Sequence, residues 1–187
     1  MSTSPLLYVH SQRLKTDYES MLRLPGPYIL WKPLTPVDVG RLVYPTRYEL
    51  TFCIKAPTAD NTVRNTHIVE FDLSALGYPI NALPIAKFRT SWLKHPHVYS
   101  DGRVCIGALN PTHSLAETTI RVAGFFVYDP VLINNRSIAT TSYMNYYLEN
   151  KGTLPLQQVR LPTIDLVSHA AAKRSFVIKR VGNGGQQ

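Results

Sequence analysis

Alternating apolar and polar residues mark the first half of the chain as a series of β-strands. The alternation is cleanest over residues 47–55, and a second alternating run covers 67–73. Shorter apolar runs occupy 28–31 and 85–89. A side-chain period of two is typical of strands with one buried face. Four such strands, joined in sequence order by short loops, predict an antiparallel meander.

Apolar positions three or four residues apart predict a helix before these strands. Ser11 is its expected N-cap, because a serine oxygen can accept from a free amide of the first turn. The pattern continues to about Leu24, and Pro25-Gly26-Pro27 then ends it. Residues 1–9 are expected to be a loose lead-in.

Two further helices are predicted in the second half of the chain. Ser114 and Glu117 have the spacing of a capping box, in which each side chain bonds the other residue's backbone amide. The helix that follows is expected to end by Pro130. Another helix is expected over residues 137–149, before the stop at Gly152.

The order of these elements predicts an α+β layer fold. We expect one domain over residues 10–152, preceded by the lead-in 1–9 and followed by a C-terminal extension, 153–187. Within the extension, residues 164–173 are compatible with a helix and 176–181 with an extended segment.

Composition restricts the environment and the partners. The chain has 187 residues, of which 44% are hydrophobic, so it can bury a full core. It has no apolar run of the ~20 residues that a membrane span needs and no signal-peptide plan at its start, so we expect a cytoplasmic protein without a membrane partner. The net charge is +8, but the basic residues are spread along the chain, which argues against nucleic-acid binding as the main role.

The candidate chemistry lies between His95 and His113. Cys105 is a lone cysteine with histidines nearby, a combination typical of a nucleophile. Cys53 lies on the more polar face of a predicted strand and is expected to fill space. His95 is expected to be structural, and Asp101 is expected to be a turn residue before a glycine with positive φ. The two cysteines give no reason to expect a disulfide in a reducing compartment.

Several motifs in this region belong together. The chain has Tyr78-Pro79, then Pro84, then His95-Pro96-His97, and then Cys105 in a Val-Cys-Ile setting, eight residues after His97. This block, with a helix before it and two helices after it, resembles ubiquitin-conjugating enzymes over roughly residues 10–150. The chain differs from the family in two places. His97 stands where the family has Asn, and the family's Trp-Ser-Pro segment after the cysteine is absent. In these departures it resembles divergent prokaryotic members and the autophagy-type conjugating enzymes.

The resemblance implies a UBC-like fold and thioester chemistry. Cys105 would accept a ubiquitin-like modifier from an activating enzyme and pass it to an amine of a protein substrate, without cofactor or metal. His97 would donate to the developing oxyanion or act as a base, and His113 is a second candidate for such a role. Arg13 and Lys15 would contact the activating enzyme from the exposed face of the first helix. A prokaryotic member would belong to a ubiquitination-like system, with antiphage defence as one such role.

Two other classes of function remain open on the residues alone. One is a non-catalytic module of the same fold that binds ubiquitin-like proteins, although such modules lack the cysteine. The other is a metal site or a thiol hydrolase built from His95, His97, Cys105 and His113. Their spacing matches no strong zinc pattern, and no orienting residue for a hydrolase can be identified.

Overall fold

The computed structural model describes residues 5–24, 26–107, 111–134 and 137–163 and shows an α+β fold. The three helices are α1 (Pro5–Met21), α2 (Leu115–Phe126) and α3 (Thr141–Asn150). The strands are β1 (Ile29–Pro33), β2 (Arg47–Phe52), β3 (Ala56–Pro57), β4 (Val63–Arg64), β5 (His67–Asp72) and β6 (Ile85–Phe88).

The main sheet is a four-stranded antiparallel meander in the order β1-β2-β5-β6, as the alternating pattern predicts. The register pairs Leu50 of β2 with Val69 of β5, and Val69 with Phe88 of β6. All three side chains are buried, because paired residues of an antiparallel sheet point to the same face. The loop between β2 and β5 contains the small β3–β4 hairpin.

Helix α2 covers the apolar face of the sheet. Phe126 stacks on Phe52 with ring centroids 4.7 Å apart and planes 25° apart. Fully burying a side chain of this size is worth about 1.5–3 kcal/mol, so this contact is a substantial part of the attachment between helix and sheet. The predicted capping box is confirmed, since the Ser114 and Glu117 side chains each bond the other's backbone amide.

Helix α1 begins at Pro5. The expected N-cap at Ser11 is therefore wrong, and so is the expected loose lead-in over residues 5–9. The His10 ring lies within 2.9 Å of the Leu73 carbonyl oxygen and is buried. A proline is also well tolerated in the first turn of a helix. This tertiary contact fixes the early part of the helix, although its first five side chains are exposed.

Helix α3 begins at Thr141, four residues later than predicted. The residues before it are bound to the loop around Pro96: the Ala139 amide donates to the Pro96 carbonyl at 2.8 Å, and the Thr140 hydroxyl donates to the Val98 carbonyl at 2.8 Å. Thr140 is therefore held in an extended conformation. Because these contacts hold residues 139 and 140 outside the helix, α3 begins later in the chain than predicted.

The first part of the C-terminal extension packs on the body of the protein. Val159 and Leu161 are partly buried against the core, and the Gln157 side chain accepts from the Lys55 amide at 2.9 Å. The predicted helix at 164–173 and the predicted extended segment at 176–181 lie outside the described residues.

Candidate active site around Cys105

Cys105 ends a short hairpin that begins at His97. Val98 pairs with Val104 in an antiparallel bridge. The Cys105 amide donates to the His97 carbonyl at 2.7 Å, and the Tyr99 amide donates to the Arg103 carbonyl at 2.8 Å. The position of the cysteine is thus set by backbone pairing rather than by its own side chain.

The turn of this hairpin has the chemistry that the sequence predicts. The Asp101 carboxylate accepts from the Arg103 amide at 3.0 Å, and Gly102 has φ +81°. A Cβ on Gly102 would lie 3.2 Å from the Trp92 ring. Glycine is therefore required at position 102 both by backbone conformation and by the close approach of the indole.

Cys105 is half-buried and takes part in no disulfide. Its thiol donates to the Ser137 carbonyl oxygen, in the segment before α3, at 3.9 Å. The flanking residues Val104 and Ile106 are buried and anchor the strand, while Cys105 between them is only half-buried. An accessible thiol on a fixed backbone suits nucleophilic attack.

Tyr99 is a site residue that the sequence analysis missed. Its pKa is raised, chiefly by the neighbouring Cys105 charge and by hydrogen bonding with the Cys105 side chain. The guanidinium of Arg103 lies over the Tyr99 ring, 5.1 Å from the centroid. The sequence alone does not single it out, but once the register places His97 opposite Cys105, Tyr99 is two residues further along the same strand face.

His95 and His97 form a buried pair beneath the hairpin. The His95 ring stacks on Phe125 at 4.7 Å, and its Nδ1 accepts from the His97 amide at 3.1 Å. The expected structural role of His95 agrees with this position. His97 is only 3% exposed and its ring also stacks on Phe125, at 5.6 Å.

Both of these histidines favour the neutral form. Burial lowers the pKa of His95 well below its usual value, and the neighbouring His97 adds to the effect. Burial also lowers the pKa of His97, opposed by the carbonyls of Ser137 and Leu132 and reinforced by the charge of Arg121. Arg121 comes from α2, and one of its terminal nitrogens lies 3.5 Å from where a Cβ on Gly107 would be.

His113 is half-buried in the loop before α2, and its carbonyl oxygen accepts from Arg13. Arg13 also bonds the Pro111 carbonyl, the Tyr78 hydroxyl at 3.0 Å and the Asp17 carboxylate at 2.8 Å. Its side chain is 12% exposed, so the expectation that Arg13 lies on the exposed face of the first helix is wrong. The helical pattern of the sequence predicts an exposed Arg13, but its polar partners Asp17 and Tyr78 draw the side chain inward. Arg13 fastens the loop that contains His113 to α1.

Lys15 does lie at the surface. Its side chain is 42% exposed and its amine is 3.9 Å from Glu19 one turn along the helix. Of the two basic residues predicted to meet a partner, only Lys15 is presented to solvent.

The predicted histidines and the cysteine do not assemble a metal site. Within the ranges that the structure describes, no three His, Cys, Asp or Glu side chains are grouped so that they could hold a metal ion. In those same ranges, no helix combines the length and the apolarity that crossing a bilayer requires.

Comparison with known proteins gives structural likeness only. No protein-family model and no curated protein matches the chain. The human ubiquitin-conjugating enzyme E2 G1 is similar in structure, with a TM-score of 0.45 and 21% identity, over 62% of this chain and 92% of that one. A ubiquitin-conjugating enzyme E2 from Plasmodium falciparum gives a TM-score of 0.45 and 18% identity, over 61% and 95% of the two chains. Likeness at this level carries no information on activity.

Proposed function

We propose that this protein is a conjugating enzyme for a ubiquitin-like modifier. Cys105 takes the activated C-terminus of the modifier from an activating enzyme as a thioester. An amine of a protein substrate then attacks the thioester carbonyl. The amide forms, the carbon–sulfur bond breaks, Cys105 leaves as the thiolate, and the amine proton passes to water.

The observation that carries this proposal is the placement of the Cys105 sulfur. It is half-buried between two anchored residues, on a hairpin whose backbone is fixed by hydrogen bonds at 2.7 and 2.8 Å. The sulfur can therefore be reached by a flexible peptide end while its backbone stays in place. Exchange between two thioesters is nearly thermoneutral, so an accessible nucleophile at a fixed position is the main requirement.

The sequence motifs give independent support. The segment from Tyr78 to Cys105 resembles the central block of conjugating enzymes, and the order of helices and strands agrees with the layout that this resemblance implies. Tyr78 itself is buried and joins the cluster with Arg13 and Asp17 that ties α1 to the loop before α2.

The remaining assignments are parts of the same proposal. Lys15 contacts the activating enzyme, and His97 and His113 remain candidates for assisting the transfer step. The proposal extends to a bacterial ubiquitination-like system against phage. Neighbouring genes for a modifier, an activating enzyme and a deconjugating peptidase would support that extension.

Charging of the purified protein tests the proposal. The protein is incubated with ATP and with the activating enzyme and ubiquitin-like protein encoded nearest to its gene. We expect an adduct on a non-reducing gel that dithiothreitol removes. Cys105→Ser should give an adduct that resists dithiothreitol, because an oxygen ester replaces the thioester, and Cys105→Ala should give none.

Cys53→Ala is the matched control, since Cys53 is also a half-buried free cysteine. This variant should charge like the parent protein. An adduct that persists in Cys105→Ala, or one that disappears in Cys53→Ala, would contradict the assignment of the nucleophile.

A further inference from the structure

Acyl transfer at Cys105 requires a hydrogen-bond donor for the carbonyl oxygen, because negative charge collects on that oxygen as the nucleophile attacks. His97 replaces the Asn of related sequences, but its ring lies under the hairpin. It is stacked on Phe125, and no hydrogen-bond partner for its buried Nε2 atom occurs among the residues that the structure describes. A ring that is only 3% exposed is poorly placed to meet a substrate that arrives from the solvent.

Tyr99 lies on the same face of the hairpin as His97 and Cys105 but, unlike His97, it is exposed. In the hairpin, His97 is opposite Cys105 and Tyr99 is opposite Arg103. Tyr99 is therefore the diagonal neighbour of Cys105 on one face, a separation that an aromatic side chain can span. The residue is 37% exposed, and the neighbouring Cys105 side chain raises the pKa of its hydroxyl.

The ring of Tyr99 is held in this orientation from its other side. The Arg103 guanidinium covers the ring at 5.1 Å and is paired with the Asp101 carboxylate at 2.7 Å. Gly102 closes the same turn against Trp92. A donor whose orientation is fixed before the reaction loses little free energy to reorganisation when charge develops.

The Tyr99 hydroxyl also stays protonated. The neighbouring Cys105 charge and the hydrogen bond to the Cys105 side chain raise the pKa of this phenol above its usual value near 10, outweighing the opposing effect of Arg103. Tyr99 is thus a donor throughout the neutral pH range.

We propose that Tyr99 is a catalytic residue that donates its hydroxyl hydrogen bond to the carbonyl oxygen of the acyl group on Cys105. In the resting protein Tyr99 is the diagonal neighbour of Cys105 across the hairpin. Once the sulfur is acylated, the carbonyl oxygen is only two bonds from it and comes within reach of the hydroxyl. No proton moves from Tyr99 in this step.

The step balances as follows. The amine nitrogen bonds to the carbonyl carbon, and the π electron pair moves to the oxygen, which accepts from Tyr99. The pair then returns, the carbon–sulfur bond breaks, Cys105 leaves as the thiolate, and the amine proton passes to water. This inference deepens the proposed function, although the donor role can be measured without the modifier or the activating enzyme.

The experiment uses Cys53→Ala as the parent, so that Cys105 is the sole thiol. Phenyl thioacetate acetylates Cys105, and mass spectrometry follows the loss of the acetyl group to ethylamine. We expect Tyr99→Phe to slow this aminolysis at least tenfold, within the range found when one oxyanion donor is removed. Alkylation by iodoacetamide forms no oxyanion and should change about threefold at most.

Tyr8→Phe is the matched control, because it removes the hydroxyl of an exposed tyrosine on α1. It should leave both rates unchanged. Arg103→Gln should slow aminolysis by a smaller factor than Tyr99→Phe, because it removes only the group that orients the ring. Its alkylation rate should match that of the parent.

Two results would overturn the inference. One is an aminolysis rate in Tyr99→Phe equal to that of the parent. The other is an equal fall in aminolysis and alkylation, which would mean that Tyr99 only keeps the sulfur accessible. Failure of the proposed function shows itself separately, as the absence of an adduct with the activating enzyme while acetyl transfer still depends on Tyr99.

Discussion

At the scale of single residues, Gly102 shows how a small feature fixes the site. It is the turn residue between Tyr99 and Arg103, and its φ of +81° lies in the left-handed region. A side chain there would be strained by the backbone and would also press on the Trp92 ring. The turn motif in the sequence predicts the first of these effects but not the second, since Trp92 is ten residues away.

Gly102→Ala is therefore expected to destabilise the protein by about 1–3 kcal/mol, from the strained conformation and the close contact with Trp92. Urea denaturation followed by circular dichroism measures the change. Gly152→Ala is the control, because Gly152 has an ordinary φ and nothing within 4 Å of the added methyl group. Its unfolding free energy should move by less than about 1 kcal/mol in either direction. Equal losses in the two variants would show that position 102 has no special requirement.

At the scale of whole elements, α1 is joined to α2 through Asp17. One carboxylate oxygen accepts from the Leu115 amide at 2.7 Å, at the start of α2. The other accepts from Arg13 at 2.8 Å and from the Tyr78 hydroxyl at 2.7 Å. A helix N-terminus favours a negative charge and a partner for its free amides. One side chain of α1 thus supplies both to α2.

Asp17→Ala is expected to lower the free energy of unfolding by about 3–5 kcal/mol, because it leaves Arg13 and a helix amide without their buried partner. Glu19→Ala breaks the other ion pair of the same helix, Lys15–Glu19, which is exposed and 3.9 Å long. That pair is worth less than about 0.5 kcal/mol. Denaturant midpoints of the two variants should differ clearly, and similar midpoints would contradict the proposed link between the helices.

The elements also show where sequence patterns succeed and fail. Period-two alternation predicts β2 and β5 well, because burial of one sheet face imposes that pattern directly. The starts of α1 and α3 are set instead by distant partners, the Leu73 carbonyl and the Pro96 carbonyl. Such contacts leave no local trace, so the sequence places these boundaries several residues away.

The candidate site also contains some residues that the sequence predicts and others that it does not. Cys105 and the turn at Asp101-Gly102 can be predicted from residue type and spacing. The burial of Arg13 cannot, because it depends on Asp17 and on the loop before α2 meeting it in space. Tyr99 could be found only after the hairpin register was known.

At the scale of the whole molecule, buried histidines make stability depend on pH. His67, His95 and His97 are buried, and burial lowers the pKa of each. In the unfolded chain their pKa values return to about 6.5. Below that pH the unfolded state binds more protons than the folded state, so stability is fully present above pH 6.5 and is lost as the pH falls.

We expect the free energy of unfolding to fall by up to about 1.4 kcal/mol per pH unit for each such histidine between pH 6.5 and its lowered folded pKa. Urea titrations at pH 7.5, 6.5 and 5.5 measure this. His67→Phe should reduce the slope, since its ring would still pack on Phe126 while the titrating group is removed. The same slope with and without this histidine would contradict the assignment.

The hairpin that holds Cys105 has a consequence for where reactivity resides. Its surroundings come from distant parts of the chain: Trp92 supports the turn, Phe125 underlies the histidines, and the Ser137 carbonyl faces the sulfur. A synthetic peptide with the sequence of residues 95–107 would contain the complete motif, yet its thiol should behave like that of free cysteine. Grafting this motif onto another scaffold would therefore reproduce its sequence but not its reactivity.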